Sequence, residues 1–407
     1  MHKIERLLQT LAPKGVEFRK LGEVCEILDN RRIPIAKNKR NPGIYPYYGA
    51  NGIQDYIDSY IFDGDFVLVG EDGSVINKDN TPVVNWASGK IWVNNHAHVL
   101  QTKNELKLKF LYFYLQTIDV SYCVAGTPPK INQENLKKIT IPIPPLEIQQ
   151  EIVKILDAFT ELNTELNTEL KARKKQYQYY QNMLLDFKGI HLNHKDAKMG
   201  AKTYPKRLKT LLQTLAPKGV EFRKLGEVCE ILDNRRIPIA KNKRNPGIYP
   251  YYGANGIQDY IDSYIFDGDF VLVGEDGSVI NKDNTPVVNW ASGKIWVNNH
   301  AHVLQTKNEL KLKFLYFYLQ TIDVSYCVAG TPPKINQENL KKITIPIPPL
   351  EIQQEIVKIL DQFSTLTTDL LAGIPAEIEA RKKQYEYYRE KLLAFKPLQN
   401  KAKTYEL

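Results

Sequence analysis

Cysteine is scarce in this chain, with four in 407 residues, and none lies in a CxxC pair. That excludes a zinc ribbon and a thioredoxin-like centre. Cys25 and Cys123, with Cys229 and Cys327, read as free thiols. A Cys–His site through His96 or His98 is conceivable, but no metal is expected. Also missing are a GxGxxG dinucleotide loop, a Walker lysine loop, an HExxH pair and a GxSxG elbow. An adenine methyltransferase would need an Asn/Asp-Pro-Pro-aromatic motif. The nearest strings, TPPK at Thr127–Lys130 and PPLE at Pro144–Glu147, do not fit. No catalytic residue is assigned. Gly70–Ser74 (GEDGS) reads as a hairpin turn rather than an acidic site. No apolar run is long enough to span a bilayer, and residues 1–20 lack a signal-peptide core. Those absences predict a cytoplasmic protein without membrane contact.

What is present is a duplication. Leu7–Asp157 and Leu211–Asp361 are identical over 151 positions, offset by 204. Each copy is long enough to build its own core, and the period is too long for a solenoid. The net charge of +9 hints at nucleic acid, yet each copy carries 17 basic and 17 acidic residues. The excess lies instead in 158–210 (+6), 362–407 (+2) and 1–6 (+1). Bulk charge therefore says little, and local clustering must carry any case for DNA.

Pro144–Phe187 reads as one long helix. Pro144 and Pro145 suit a helix start. Ile148, Ile152, Ile155, Phe159, Leu162 and Leu166 then recur at spacings of 4, 3, 4, 3 and 4, as a coiled-coil seam does. The repeated unit TELN-TELN-TEL, Thr160–Leu170, puts a stutter into that seam. A related stretch, Pro348–Phe395, is interrupted at Gly373 and Pro375, which predicts two helical segments. The two stretches are expected to pack on each other, with Phe159 facing Phe363 and Ile152, Ile155, Leu162 and Leu166 facing Ile356, Ile359, Leu366 and Leu370.

Within a copy, short β-rich runs punctuated by Gly, Asn and Asp precede a helix at Leu106–Leu115 and a last strand at Ile139–Ile143. Val83–Trp86 and Lys90–Val93 read as two strands with Ala87–Gly89 as a hairpin turn between them. This mixture predicts an α+β domain. Asp29–Pro42 is an irregular basic loop carrying Arg31, Arg32, Lys37, Lys39 and Arg40, the best candidate for phosphate contact. A solvated loop is the plainer reading. Tyr47, Tyr48, Asn51, Asn94, Asn95 and His96 supply aromatics, amides and an imidazole able to address base edges, and Lys130 tips a stiff GTPPKIN loop. The second copy offers Arg235, Arg236, Lys241, Lys243, Arg244, Tyr251, Tyr252, Asn255, Asn298, Asn299, His300 and Lys334. Both long helices carry an RKKQY run, at Arg173–Tyr177 and Arg381–Tyr385, either a solvated face or a surface for a partner or the DNA backbone.

Several strings in combination resemble the DNA-specificity subunit of type I restriction-modification systems. They are Ile141–Val153 and Ile345–Val357 (IPIPPLEIQQEIV), the opening at Leu11–Val24 and Leu215–Val228, YPYYGANGI, and the ARKKQYxYY tails. The likeness covers nearly the whole chain, and the TELN array resembles the family's spacer repeats. It implies two target-recognition domains, each reading half of a bipartite target in double-stranded DNA, and two long helices forming an antiparallel coiled coil. It further implies two modification (methyltransferase) subunits carrying S-adenosylmethionine and methylating adenine, separate restriction subunits, and no cofactor in this chain. The expected segments are 1–146 (first recognition domain), 147–187 (central spacer helix), 188–210 (linker), 211–350 (second recognition domain) and 351–407 (distal helix and tail). In the family the two domains usually differ, whereas here they are identical. Identical domains imply identical half-sites, and antiparallel helices imply an inverted repeat. Two rivals stay open: a methyltransferase or nuclease with divergent motifs, and a coiled-coil adaptor that does not touch DNA.

Overall fold

The computed structural model describes residues 2–73, 75–187, 204–277, 279–368 and 373–398. The first copy opens with helix α1 (His2–Leu11), strand β1 (Glu17–Lys20), a single turn α2 (Leu21–Val24) and β2 (Cys25–Ile27). Next come β3 (Pro42–Gly49), β4 (Gly52–Ile57), β5 (Phe62–Gly70), β6 (Val84–Val93) and β7 (Ala97–Thr102). Helices α3 (Leu108–Leu115) and α4 (Gln133–Lys138) and strand β8 (Thr140–Ile143) close the domain. The central helix α5 then runs from Leu146 to Leu185, 40 residues, about 60 Å at 1.5 Å per residue.

The second copy repeats this order: α6 (Lys206–Leu215), β9 (Phe222–Lys224), α7 (Leu225–Val228), β10 (Cys229–Ile231), β11 (Pro246–Gly253), β12 (Gly256–Ile261), β13 (Phe266–Gly274), β14 (Val288–Val297) and β15 (Ala301–Thr306). It continues with α8 (Leu312–Leu319), α9 (Gln337–Lys342) and β16 (Thr344–Pro346). The distal helical stretch is α10 (Leu350–Thr368) and α11 (Ile374–Leu393), broken where Gly373 and Pro375 predicted. Leu370 and residues 188–203 of the expected linker lie outside the described residues, while residues 206–210 already belong to α6. No described helix is long and apolar enough to cross a membrane.

Each copy folds a six-stranded sheet in the order β2-β7-β5-β6-β3-β4, with β3–β6 parallel and its other pairings antiparallel. A separate ribbon pairs β1 with β8. One expectation is corrected here. Val84–Val93 is a single strand, and Ala87–Gly89 lies inside it, not in a hairpin turn. Gly64 and Gly89 sit opposite each other in the β5–β6 register, and both hold positive φ, +135° and +77°. Glycine tolerates that conformation, so the pair of strands bends there without ending.

Two apolar clusters divide the domain. One, on the sheet's outer part, gathers Tyr48, Phe62, Phe66, Leu68, Ile91 and Val99. The other buries α3 and α4 against β5, β7 and the start of α5. Ile148, Ile152 and Leu156, spaced by four, are fully buried there. Each side chain contributes about 1.5–3 kcal/mol of burial. Gln149 fixes the same end of α5. Its Oε1 accepts from Lys107 N at 2.8 Å, and its Nε2 donates to the carbonyls of Glu105 and Pro144 at 2.9 and 2.8 Å. A buried amide with these partners leaves no polar group unmatched.

The contacts divide the chain into two units: Met1–Asn167 with Glu377–Leu407, and Thr168–Ala376. The two long helical stretches are therefore shared out rather than standing as segments of their own. In unit 1, Phe159 of α5 stacks on Tyr388 (5.6 Å between centroids) and lies 6.3 Å from Tyr385, both on α11. In unit 2, Tyr180 of α5 stacks on Phe363 of α10 at 5.2 Å. This corrects the expected register: Phe159 does not face Phe363. Phe159 and Phe363 are repeat equivalents, and each meets a tyrosine of an ARKKQYxYY tail instead. Ile152 and Ile356 are claimed by the domain cores.

Candidate nucleic-acid interface

The basic loop between β2 and β3 is irregular in sequence but pinned in place. Two short turns, Asp29–Arg31 and Lys37–Lys39, shape it. Trp92 Nε1 donates to Ile33 O at 2.6 Å, and Ile35 N donates to the Tyr47 hydroxyl at 2.9 Å. Arg40 lies over the Tyr47 ring at 4.0 Å and pairs with Asp55 at 3.4 Å. Lys37 and Lys39 project from this fixed loop exposed, with no side-chain hydrogen bond or ion pair among the described residues. Arg31 is exposed too, with one bond to Ile61 O at 3.2 Å and its guanidinium over Phe62.

The structure takes several candidates off the surface. Arg32 turns inward, 2.6 Å from Glu71 and 3.4 Å from Asp29, and donates to Ala97 O at 2.9 Å. Its charge is spent inside the domain. Tyr47 and Tyr48 are buried, and Asn94 is buried with its Oδ1 accepting from His96 N. Arg40 is half-buried. Lys130 is exposed but reaches Glu71 at 3.1 Å. The equivalents Arg236, Tyr251, Tyr252, Asn298, Arg244 and Lys334 behave in the same way. The two rings are buried by different partners: Tyr48 joins the cluster of Phe62, Phe66 and Val99, while Tyr47 lies under the basic loop, its ring beneath Arg40 and its hydroxyl bonded to Ile35.

Asn51, Asn95 and His96 stay exposed, and so do Asn255, Asn299 and His300. Asn51 and His96 share an open cavity of about 440 Å³ with Gln54, Asp72 and Pro128. His96 Nδ1 is in direct hydrogen-bond contact with the Asp72 carboxylate in its wall. Beyond it, β4 exposes Tyr56 and the β4–β5 connection exposes Tyr60, with Tyr60 packed on Tyr45 at 5.1 Å and Lys90 over Tyr60 at 4.7 Å. Gln54 belongs with Asn51 among the amides able to address base edges, while Tyr56, Tyr60 and Lys90 were not among the candidates. The polar, exposed middle of β6, Ser88–Lys90, was a signal that could have found Lys90.

A cluster of Asp29, Glu71 and His98 could by donor type hold a metal ion, and Asp233, Glu275 and His302 repeat it. The residues present do not fit one, because the Arg32 guanidinium already supplies the cation between the two carboxylates. His98, fully buried, donates from Nε2 to Ile131 O at 2.8 Å and sets Nδ1 2.6 Å from Asp29. Burial alone would raise the Asp29 carboxyl. The hydrogen bond from His98, the charges of His98 and Arg32 and the Val99 N–H overcome that and hold it below its usual 3.8. The network is a structural clasp under the basic loop. All four cysteines are buried and free, and desolvation pushes the Cys25 thiol up to about 12.

Fold and site together define a class: a duplicated recognition domain, presenting in each copy a fixed basic loop beside a polar, aromatic sheet edge, on helical supports. The family model for the type I restriction modification DNA specificity domain matches residues 13–175 and 217–380. A Haemophilus influenzae chain named as a type I restriction enzyme specificity subunit is 36% identical, over 96% of this chain and 98% of that one. An Escherichia coli type I specificity subunit is 28% identical over 97% of each. A Mycoplasma pneumoniae chain, also named as a type I specificity subunit, aligns over 95% of its own length to only 62% of this chain. The crystal structure of an S subunit from M. genitalium superposes with a TM-score of 0.63 at 16% identity, covering 95% of this chain and 98% of that one. This chain belongs to the type I restriction-modification DNA-specificity family, and it is a specificity subunit with two specificity domains.

Proposed function

We propose that the chain reads a bipartite target in double-stranded DNA made of two identical half-sites in inverted orientation. We further propose that it holds two modification subunits, which bring S-adenosylmethionine and methylate adenine, together with restriction subunits that cut. The observation that carries the first part is the pair of identical domains, each presenting Arg31, Lys37 and Lys39, or Arg235, Lys241 and Lys243, from a pinned loop. Six such cations meeting phosphates would give a log–log salt slope of about −5. Asn51, His96 and Gln54, with Asn255, His300 and Gln258, are the groups proposed for base edges. The inverted orientation is supported by the way each unit is completed by a helical segment from the other half of the chain.

Methylation mapping of genomic DNA in cells carrying this chain and its partners tests the reading. An inverted pair of half-sites with equivalent adenines modified on opposite strands supports it. A direct repeat, or two unrelated half-sites, overturns it. Deleting one TELN unit, Thr164–Asn167, removes about 6 Å of helix, one or two base pairs at about 3.4 Å each. Half-sites should persist while the gap shortens.

A further inference from the structure

The open cavity of about 440 Å³ in unit 1 has walls whose hydrogen-bonding direction is fixed from behind. One chain of bonds starts at a backbone N–H, which can only donate. His96 N donates to Asn94 Oδ1 at 2.8 Å. That sets the buried Asn94 amide, whose Nδ2 then donates to Gln54 Oε1 at 3.4 Å. Gln54 is left with Nε2 as its outward group, a donor with no partner among the described residues, on an exposed side chain in the cavity wall. A Cβ at Gly49 would collide with this amide, so the glycine makes the room in which it lies.

The second direction is set on the imidazole. His96 Nδ1 bonds the Asp72 carboxylate. An ionised carboxylate only accepts, so Nδ1 carries the proton and, in the neutral ring, Nε2 is an acceptor. No described residue occupies that acceptor. Backbone bonds hold both partners in place. Glu71 N donates to His96 O at 2.8 Å, Gly73 N donates to Pro129 O at 3.1 Å, and Asp72 bridges to Lys130. The neighbouring charges are matched among themselves, since Glu71 pairs with Arg32 and Lys130. The same bonds recur in unit 2, from His300 N through Asn298 to Gln258, and from His300 Nδ1 to Asp276.

We propose that this wall reads the major-groove edge of an adenine at one position in each half-site, with Gln54 Nε2 donating to N7 and His96 Nε2 accepting from the N6 amino group. Gln258 and His300 do the same for the other half. The inference rests on the reading that this face meets DNA, and it adds which base the face selects. In the major groove adenine offers an acceptor and a donor, N7 and N6–H, whereas guanine offers two acceptors, N7 and O6. Guanine would set O6 against the His96 acceptor, and a pyrimidine has no N7 to meet Gln54. Asn51, also in the wall, carries both a donor and an acceptor and adds no preference. Asp72 is a positioning residue, acting through the imidazole by fixing which nitrogen holds the proton.

The test uses the full chain with its modification subunits on duplexes carrying the mapped target. Each adenine position of the half-sites is replaced in turn by 7-deazaadenine, which lacks the N7 acceptor, and by unsubstituted purine, which lacks the N6 amine. At one position both replacements should weaken binding, by about tenfold, as expected for a bidentate base contact. Gln54→Ala with Gln258→Ala should bind 7-deazaadenine and adenine alike there, and His96→Ala with His300→Ala should bind purine and adenine alike. Each ratio compares two DNAs on one protein, so loss of folding cannot imitate it. Asp72→Ala with Asp276→Ala frees the ring to hold its proton at Nε2, and the advantage of adenine over guanine at that position should fall away. Specific binding with no adenine sensitive to both replacements, a preference for guanine there, or ratios unchanged in the Gln54 and His96 variants overturns the inference and leaves the DNA-reading function standing. A complex that binds the mapped target no better than unrelated DNA overturns both.

Discussion

Unit 1 and unit 2 enclose the same 151 residues and fold them alike. Arg32 meets Glu71 at 2.6 Å and Arg236 meets Glu275 at 2.5 Å, while Trp92 and Trp296 each hold their loops at 2.6 Å. What differs is the cover. Unit 1 is closed by α11, with Leu392 and Leu393 in its core and Phe395, just past it, against Phe110 at 5.9 Å. Unit 2 is closed by the end of α5, with Leu184, Leu185 and Phe187, the last lying 6.1 Å from Phe314. The domain's own sequence dictates its sheet, clasp and loop, and asymmetry enters only through the helices laid against it.

The largest expected effects leave the comparison level. Asp29→Asn and Asp233→Asn each strip a buried network of one partner, at a cost of about 3–5 kcal/mol. Hydrogen exchange should show equal loss of protection in the altered copy, and unequal losses would mean the copies are not energetically equivalent. Next, Leu392→Ala should destabilise unit 1 by about 2–5 kcal/mol, with Leu184→Ala doing the same to unit 2. Exchange that rises in both units for either substitution would break the division drawn above. Third, Lys37→Ala with Lys39→Ala in one copy should lower the salt slope of DNA binding by about 2, and by about 4 when Lys241 and Lys243 are changed too. Unchanged affinity across salt concentrations would show the loop to be plain surface. The smallest effect is acid-dependent. Asp29 and Asp233 have folded values below the usual 3.8. Their contribution is present above that value and lost as pH falls through the lower folded one. Urea melts below about pH 4 should therefore lose this part of the stability in both units together, and Asp29→Asn should flatten the drop in unit 1 alone.

Much of this was legible in the sequence. The duplication, the α+β class, the single long helix after Pro144–Pro145 and the break at Gly373–Pro375 all follow from local rules that need no partner. The candidate site was legible only in part. Lys37, Lys39, Arg31, Asn51 and His96 stand where their polarity suggested. Arg32 was misplaced because nothing in the basic loop shows that Glu71, 39 residues on, joins the loop's own Asp29 in drawing it inward. The seam register failed for a related reason. Ile152 and Ile356 satisfy a heptad and a domain core equally well, and only the three-dimensional docking of Gln149 onto Lys107 and Glu105 reveals which use wins. Lys90 and Tyr60 went unseen because their proximity exists only once β5 and β6 are paired.

The division of the chain also sets a clock on its synthesis. Thr168–Ala376 is one uninterrupted run, so everything unit 2 needs leaves the ribosome together. Unit 1 is made of Met1–Asn167 and Glu377–Leu407, separated by that whole run. At about 5–20 residues per second, its closing helix emerges roughly 10–40 s after Asn167. The first domain made is thus the last completed. Until then the surface that Leu392, Leu393 and Phe395 will cover stays open on the nascent chain, a window in which chaperones or a second nascent copy would meet it.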